Sequence, residues 1–202
     1  MEIIPESKKA FEKAVEILRS GGVVAHATDT CYGFAASIKS SKGVKKIYAL
    51  KKMSITKPVS ILVSNYEEAM LYGTWSEIAE ELADLYWPGA LTIVVRRSGL
   101  LPPYVNKGIK TIGFRVPKHT LSINLVKSLG MPITTTSANI TGMMCAYSVS
   151  EIVEQFENEK AKPDLIIDSG RLSKSKKPST VIECLYDNIR IIRSGDITPR
   201  LA

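Results

Sequence analysis

Cysteine is scarce in this chain, and its three copies, Cys31, Cys145 and Cys184, lie far apart. No CxxC pair occurs, and neither His26 nor His119 stands at a metal-ligand spacing from a thiol. That excludes a disulfide framework or a zinc site as a sequence-level reading, and isolated thiols among apolar neighbours read as small buried hydrophobes. No apolar run reaches membrane-spanning length, and Met1-Glu2-Ile3-Ile4-Pro5 has neither a basic segment nor a hydrophobic leader, so the expectation is a cytoplasmic protein that uses no membrane. Aromatic residues make up only 7% of the chain, without a stacking motif, which argues against single-strand nucleic-acid readout. Internal repeats and low-complexity tracts are absent too, and no carboxylate cluster announces a permanent metal.

What is present is a substantial core and a basic excess. With 202 residues, 45% of them hydrophobic, the chain is long enough for one compact unit and needs no second, so a single domain over residues 1–202 is expected. Lys and Arg (27) outnumber Asp and Glu (20), giving a formal charge of +7, gathered at 39–46, 51–57, 107–110 and 174–177. Such a balance suits anionic partners, nucleotides or RNA, although solvated helix faces produce the same statistics.

Apolar periodicity predicts helices over Ser7 to Ser20, from Ser41 to Lys51, over Glu67 to Tyr72, Glu77 to Tyr86, His119 to Leu129 and Ser150 to Glu159. β-branched runs predict strands at Val23 to Ala27, Val59 to Val63, Leu91 to Arg97, Thr111 to Val116, Met131 to Thr136 and Leu165 to Ile167, with a closing hairpin of Thr180 to Leu185 and Ile189 to Ile192 around Asp187-Asn188. Interleaved strands and helices with a terminal hairpin imply an α/β domain with a mixed sheet. Lys174 to Pro178, polar and charged ahead of a strand, reads as a mobile loop.

The chemistry gathers at strand ends. Met131 to Asn139 empties an apolar run into Thr134, Thr135, Thr136, Ser137 and Asn139, and neutral hydroxyls and amides at such a place hold polar ligands because each both donates and accepts. Thr28-Asp29-Thr30-Cys31-Tyr32-Gly33 and Pro178-Ser179-Thr180 follow the same pattern. Between them, Lys51 to Pro58 brings ammonium groups to the start of a strand, which suits a phosphate-bearing substrate.

These segments, with Trp87-Pro88-Gly89-Ala90-Leu91-Thr92, Arg115-Val116-Pro117, Ser137-Ala138-Asn139, Pro178-Ser179-Thr180-Val181 and Arg193-Ser194-Gly195, stand in the order and approximate spacing of the YrdC family, the threonylcarbamoyl-AMP synthases. The resemblance runs from about Gly21 to Gly195. It implies an open, twisted, mixed sheet with flanking helices and a concave, positive surface. It also implies synthesis of threonylcarbamoyl-AMP from L-threonine, bicarbonate and ATP with release of pyrophosphate. Mg2+ would travel with ATP, and partner proteins would pass the threonylcarbamoyl group to the adenosine beside the anticodon of tRNA.

Carried over by position, Thr30, Arg115 and Ser179 resemble threonine contacts, with Arg115 placed to fork the amino-acid carboxylate, and Ser137 resembles the hydroxyl where threonine and nucleotide meet. Lys51, Lys57, Thr111, Asn139, Ser148 and Arg193 resemble nucleotide contacts, and Lys51, Ser137 and Arg193 would serve catalysis. A carbamate is already anionic and needs no activated Ser or Cys, which agrees with two histidines lacking an obvious dyad partner. The chain departs from the family pattern at Met53, where an arginine is usual, so that phosphate binding there is weaker, is taken over by Lys52 or Lys57, or is lost. It departs also at Leu62 for a histidine, at Ala27 for a proline and at Met143-Met144-Cys145-Ala146 for a more polar stretch. Two other readings remain at this level: a YrdC-like module that holds structured RNA with weak or no synthase activity, and a relative of the carbamoyl-handling domains of hydrogenase maturation proteins, whose usual acylphosphatase-like and zinc-finger neighbours are not seen in this sequence.

Overall fold

The structure, a computed structural model, describes residues 1–186 and 188–200; Asp187, in the expected hairpin turn, lies outside them. In chain order the elements are β1 (Glu2–Pro5), α1 (Lys8–Arg19), β2 (Val24–His26), β3 (Gly33–Ala35), α2 (Ser41–Lys51), β4 (Ser60–Leu62), α3 (Tyr66–Tyr72), β5 (Gly73–Thr74), α4 (Glu77–Tyr86), β6 (Leu91–Arg97), β7 (Thr111–Arg115), α5 (Thr120–Leu129), β8 (Ile133–Ser137), α6 (Val149–Phe156), β9 (Leu165–Asp168), β10 (Thr180–Leu185) and β11 (Asn188–Arg193).

Helix starts are specified by side chains. Ser7, Ser40, Asn65, Ser76 and Ser148 sit extended at N-caps, each accepting the backbone N–H three residues on, which satisfies a donor that the helix itself leaves free. Gly130 ends α5 at φ 64°, and Gly21 follows α1 at φ 80°, a left-handed region that side-chain-bearing residues avoid.

The strands join in the order β1-β9-β2-β3-β8-β4-β7-β6-β10-β11, with β5 against β6. Pairing is mixed: β1/β9, β2/β9, β4/β7 and β6/β10 are parallel, and the remaining pairs antiparallel. β1, β3 and β5 were not expected from the sequence; each is two to four residues long and lies outside the β-branched runs that mark β2, β4 and β9.

Alternation along the strands sorts the sheet into two faces. Phe34, Ile61, Leu91, Ile93, Val95, Ile112, Phe114, Ile166 and Ile182 enter the larger core with side chains of α2, α3, α4 and α6. On the opposite face Val24, Ala35, Leu62, Ile133, Leu165 and Ile167 pack with α1 and α5 in a second core. Two helices cover only part of that face. Over the rest, the same period delivers Ser60, Thr92, Thr111, Gly113, Arg115, Thr135 and Ser137 to an open cavity whose lining contains no helical residue. Full burial of a Leu or Phe stabilises by about 1.5–3 kcal/mol, so this hydroxyl-rich half-face contributes little to folding. Its value lies in what it binds.

Candidate active site

The cavity encloses about 300 Å³, the lower end of the range for small-molecule sites. Among the residues singled out from the sequence, Thr30, Thr111, Arg115, Ser137, Ser179 and Arg193 all line it. They come from the β2–β3 connection, β7, β8, the segment before β10, and β11, and meet because β8, β4, β7, β6 and β10 are consecutive neighbours in the sheet.

Arg115 is 5% exposed, and three partners hold its guanidinium. Nε donates to the Gly89 carbonyl at 3.0 Å, Nη1 to Thr30 Oγ1 at 3.1 Å and Nη2 to Asp29 Oδ1 at 2.7 Å. A cation this deep requires a counter-charge, and Asp29, itself only 12% exposed, supplies it. One hydrogen remains on each Nη, a pair that a ligand carboxylate can bridge. Trp87-Pro88-Gly89 thus acts as scaffold: Gly89 N donates to Val116 O at 2.8 Å while Gly89 O holds Arg115.

Arg193 lies across the cavity, its Nε and Nη2 donating to the Ser179 carbonyl at 3.0 and 2.8 Å, with Nη2 also reaching Ser179 Oγ at 3.1 Å. No bond from Nη1 is formed to the described residues, which leaves that edge for an anion. Ser179 Oγ also bonds Thr92 Oγ1 at 2.9 Å. Gly195 closes this corner because any side chain there would strike Pro178 O at 2.4 Å.

Lys51 sits under the cavity floor. It ends α2 as anticipated, but it is 4% exposed and does not line the cavity. Its Nζ donates to Ser137 O at 2.8 Å, Ser137 Oγ at 3.3 Å and Asn139 Oδ1 at 2.8 Å. All three ammonium hydrogens are spent beneath Ser137, and burial lowers the pKa to about 8, with the nearby Cys31 and Cys145 pulling it up and Arg193 pushing it down. Asn139 lies there too: it takes the Ser137 hydroxyl hydrogen and donates to Ile140 O and Met143 O. The Ser137 oxygen is left with a lone pair for a donor on the ligand.

Lys57 is exposed, one residue before the cavity-lining Pro58. Ser148 is not brought into the cavity. Its hydroxyl caps α6 by accepting Glu151 N at 3.4 Å and bonds Ser150 Oγ at 2.9 Å. Met53 packs against the larger core, and Lys52 pairs with Glu159 at 2.7 Å. Leu62 is wholly buried in the second core. The Lys174–Pro178 segment is tethered: Lys174 pairs with Glu151 at 2.8 Å, Lys176 O accepts from Tyr147 Oη at 2.6 Å, and Lys177 N donates to Asp196 Oδ2 at 2.9 Å.

Three features escaped sequence reading. The floor residues Ser60, Thr92, Gly113 and Glu183 line the cavity, and their signal was alternation within strands whose neighbours only the fold reveals. The two histidines are joined through a serine: Ser122 Oγ lies 3.3 Å from His26 Nδ1 and 3.2 Å from His119 Nδ1. Ser122 is wholly buried and off the cavity, so this is packing and not a nucleophile; burial holds His26 neutral, lowering its pKa to about 4. Finally, Cys31 and Cys145 are not isolated, since the backbone bond from Tyr32 N to Ala146 O at 2.9 Å brings their segments side by side and each thiol shifts the other's protonation.

The family profile described as "Telomere recombination", which groups Sua5, YciO and YrdC, matches residues 16–195. The chain is 35% identical over 193 residues to a putative threonylcarbamoyl-AMP synthase of Methanocaldococcus jannaschii, covering 95% of this chain and 88% of that one. It is 32% identical to the threonylcarbamoyl-AMP synthase of Bacillus subtilis over 92% of its length, but spans only 53% of that protein. Sua5 of P. abyssi, solved in complex with L-threonine, superposes with a TM-score of 0.86 at 29% identity, over 96% of this chain and 56% of that one. Ordered motifs, sheet order and these likenesses agree: the chain belongs to the Sua5/YciO/YrdC family.

Proposed function

We propose that this cavity joins L-threonine, bicarbonate and ATP into threonylcarbamoyl-adenylate and pyrophosphate. The observation that carries the reading is the half-face of sheet left open by the helices, floored by hydroxyls and bounded by Arg115 on one side and Arg193 on the other. A zwitterionic amino acid and a nucleotide are chemically what such a floor suits, and the curated relatives carry the matching name.

In this reading Arg115 receives the threonine carboxylate on its two remaining N–H groups, with Thr30 and Ser179 offering hydroxyls beside it. Threonine's amine combines with bicarbonate, losing water, to give a carbamate. Its carboxylate oxygen attacks the α-phosphorus, the bond to the bridging oxygen of the β-phosphate breaks, and pyrophosphate leaves. Two anions must approach, so the work of the protein is alignment and screening. Arg193 Nη1 meets the phosphates, Lys57 approaches from the rim, Thr111 contacts the nucleotide, and Lys51 contributes its charge through Ser137. Ser137, its own hydrogen held by Asn139, accepts from the carbamate N–H. Mg2+ would enter with ATP, held by the phosphates and water. The product then serves proteins that transfer the threonylcarbamoyl group to tRNA.

The test is pyrophosphate release measured with MgATP, bicarbonate and threonine, omitting each in turn. Release that requires threonine and falls about tenfold or more in Arg193→Ala supports the reading. Folded protein giving no threonine-dependent release overturns it.

A further inference from the structure

Two segments distant in sequence are stitched together at the cavity wall: Tyr32 N donates to Ala146 O at 2.9 Å and Ala138 N to Tyr32 O at 2.8 Å. Cys31 and Cys145 each stand one residue from this stitch. Cys31 is 5% exposed and lines the cavity, whereas Cys145 is partly exposed, its Sγ 3.4 Å from Tyr147 Oη. Lys51, Arg115 and Arg193 place three cations around the pair.

We propose that Cys31 and Cys145 form a thiol modification site, at which a peroxide oxidises the pair to an intramolecular disulfide that thiol reductants reopen. The two sulfurs play different parts. The neighbouring Cys31 thiol, aided by Arg193 and opposed by burial, lowers the Cys145 pKa to about 6, while the same neighbour and burial raise Cys31 well above the ordinary thiol range. Cys145 is therefore the thiolate at neutral pH and attacks first. Its sulfur takes one peroxide oxygen, the O–O bond breaks, and the departing hydroxide collects a proton to become water, leaving a sulfenic acid. The Cys31 sulfur then attacks the sulfenyl sulfur: the S–S bond forms, the S–O bond breaks, and the hydroxyl leaves as water with the Cys31 proton. Two thiols have lost two electrons, and one peroxide has become two waters.

Cys184 supplies an internal control. It is buried in the larger core, and burial raises its pKa to about 11, so it is inert under the same treatment. The site stands on the cavity wall whichever reaction that cavity performs.

The full chain is treated with stoichiometric hydrogen peroxide at pH 7.5 and followed by intact mass, thiol titration and peptide mapping. The expected result is a loss of about two mass units, a fall from three free thiols to one, a crosslink between the peptides holding Cys31 and Cys145, and full reversal by dithiothreitol. Cys31→Ser should stop at oxygen addition on Cys145, Cys145→Ser should remain unoxidised, and Cys184→Ser should behave as the parent. Iodoacetamide should alkylate Cys145 at least about tenfold faster than Cys184. Three thiols surviving the treatment, oxygen addition to Cys145 without a crosslink in the parent protein, a bond between two chains, or faster alkylation of Cys184 would each overturn the proposal.

Discussion

Arg115 and Asp29 form an ion pair sunk in the cavity wall, and removing one partner leaves the other charged and uncompensated. Asp29→Ala should therefore cost about 3–5 kcal/mol in urea unfolding, far more than a surface pair, and Arg115→Ala must be checked for folding before its kinetics are read. In the folded Arg115→Ala fraction the KM for threonine should rise more than that for ATP; the opposite order would move the carboxylate site elsewhere. Lys51 makes a prediction in pH. With its pKa lowered to about 8, the ammonium is lost as pH rises through that value, so nucleotide use should decline above pH 8. Lys51→Gln should be slower and lack that limb. His26 acts on stability instead. Its folded pKa of about 4 lies below the ordinary 6.5, so the unfolded chain takes up a proton that the folded one refuses. The neutral ring is compatible with full stability above pH 6.5, and about 3 kcal/mol is lost as pH falls toward 4. Melting curves of His26→Gln should be flatter across that window if the fold accepts the amide.

Ser148 shows what an element demands of a residue that sequence order alone assigned to a ligand. It caps α6, so Ser148→Ala should cost about 1 kcal/mol in chemical denaturation and leave the KM for ATP unchanged; a rise in KM with no change in stability would restore its role as a nucleotide contact. Elements with a periodic face and a side-chain cap were readable: α1, α2, α3 and α4 start where Ser or Asn invites them, and the helix before Gly130 stops there. The short strands without an apolar, β-branched run were not, since β3 and β5 owe their existence to neighbours such as β8 and β6. The same limit explains Lys51. Its position in the last turn of α2 follows from helical periodicity, but the direction of its ammonium, under Ser137, depends on a strand that arrives 86 residues later.

At the scale of the whole molecule, function follows from unequal coverage of one sheet: four helices close one face, two helices close part of the other, and the remainder is polar. The sequence shows the hydroxyls at the strand ends, because Thr30, Ser137 and Ser179 fall in ordered motifs. It conceals the floor between them, because Ser60, Thr92 and Glu183 become neighbours only when β4, β6 and β10 take their places. It conceals the Cys31–Cys145 contact for the same reason. Gly113 fits this picture as a residue that keeps the floor low, since a side chain there would come within 2.6 Å of Ser60 Oγ. The most direct measurement is mass spectrometry of the adenylates formed from MgATP, threonine and carbon-13 bicarbonate. The account predicts threonylcarbamoyl-adenylate carrying the heavy carbon, formed only when all three are present; ATP turnover by folded protein with no heavy carbon in any adenylate would contradict it.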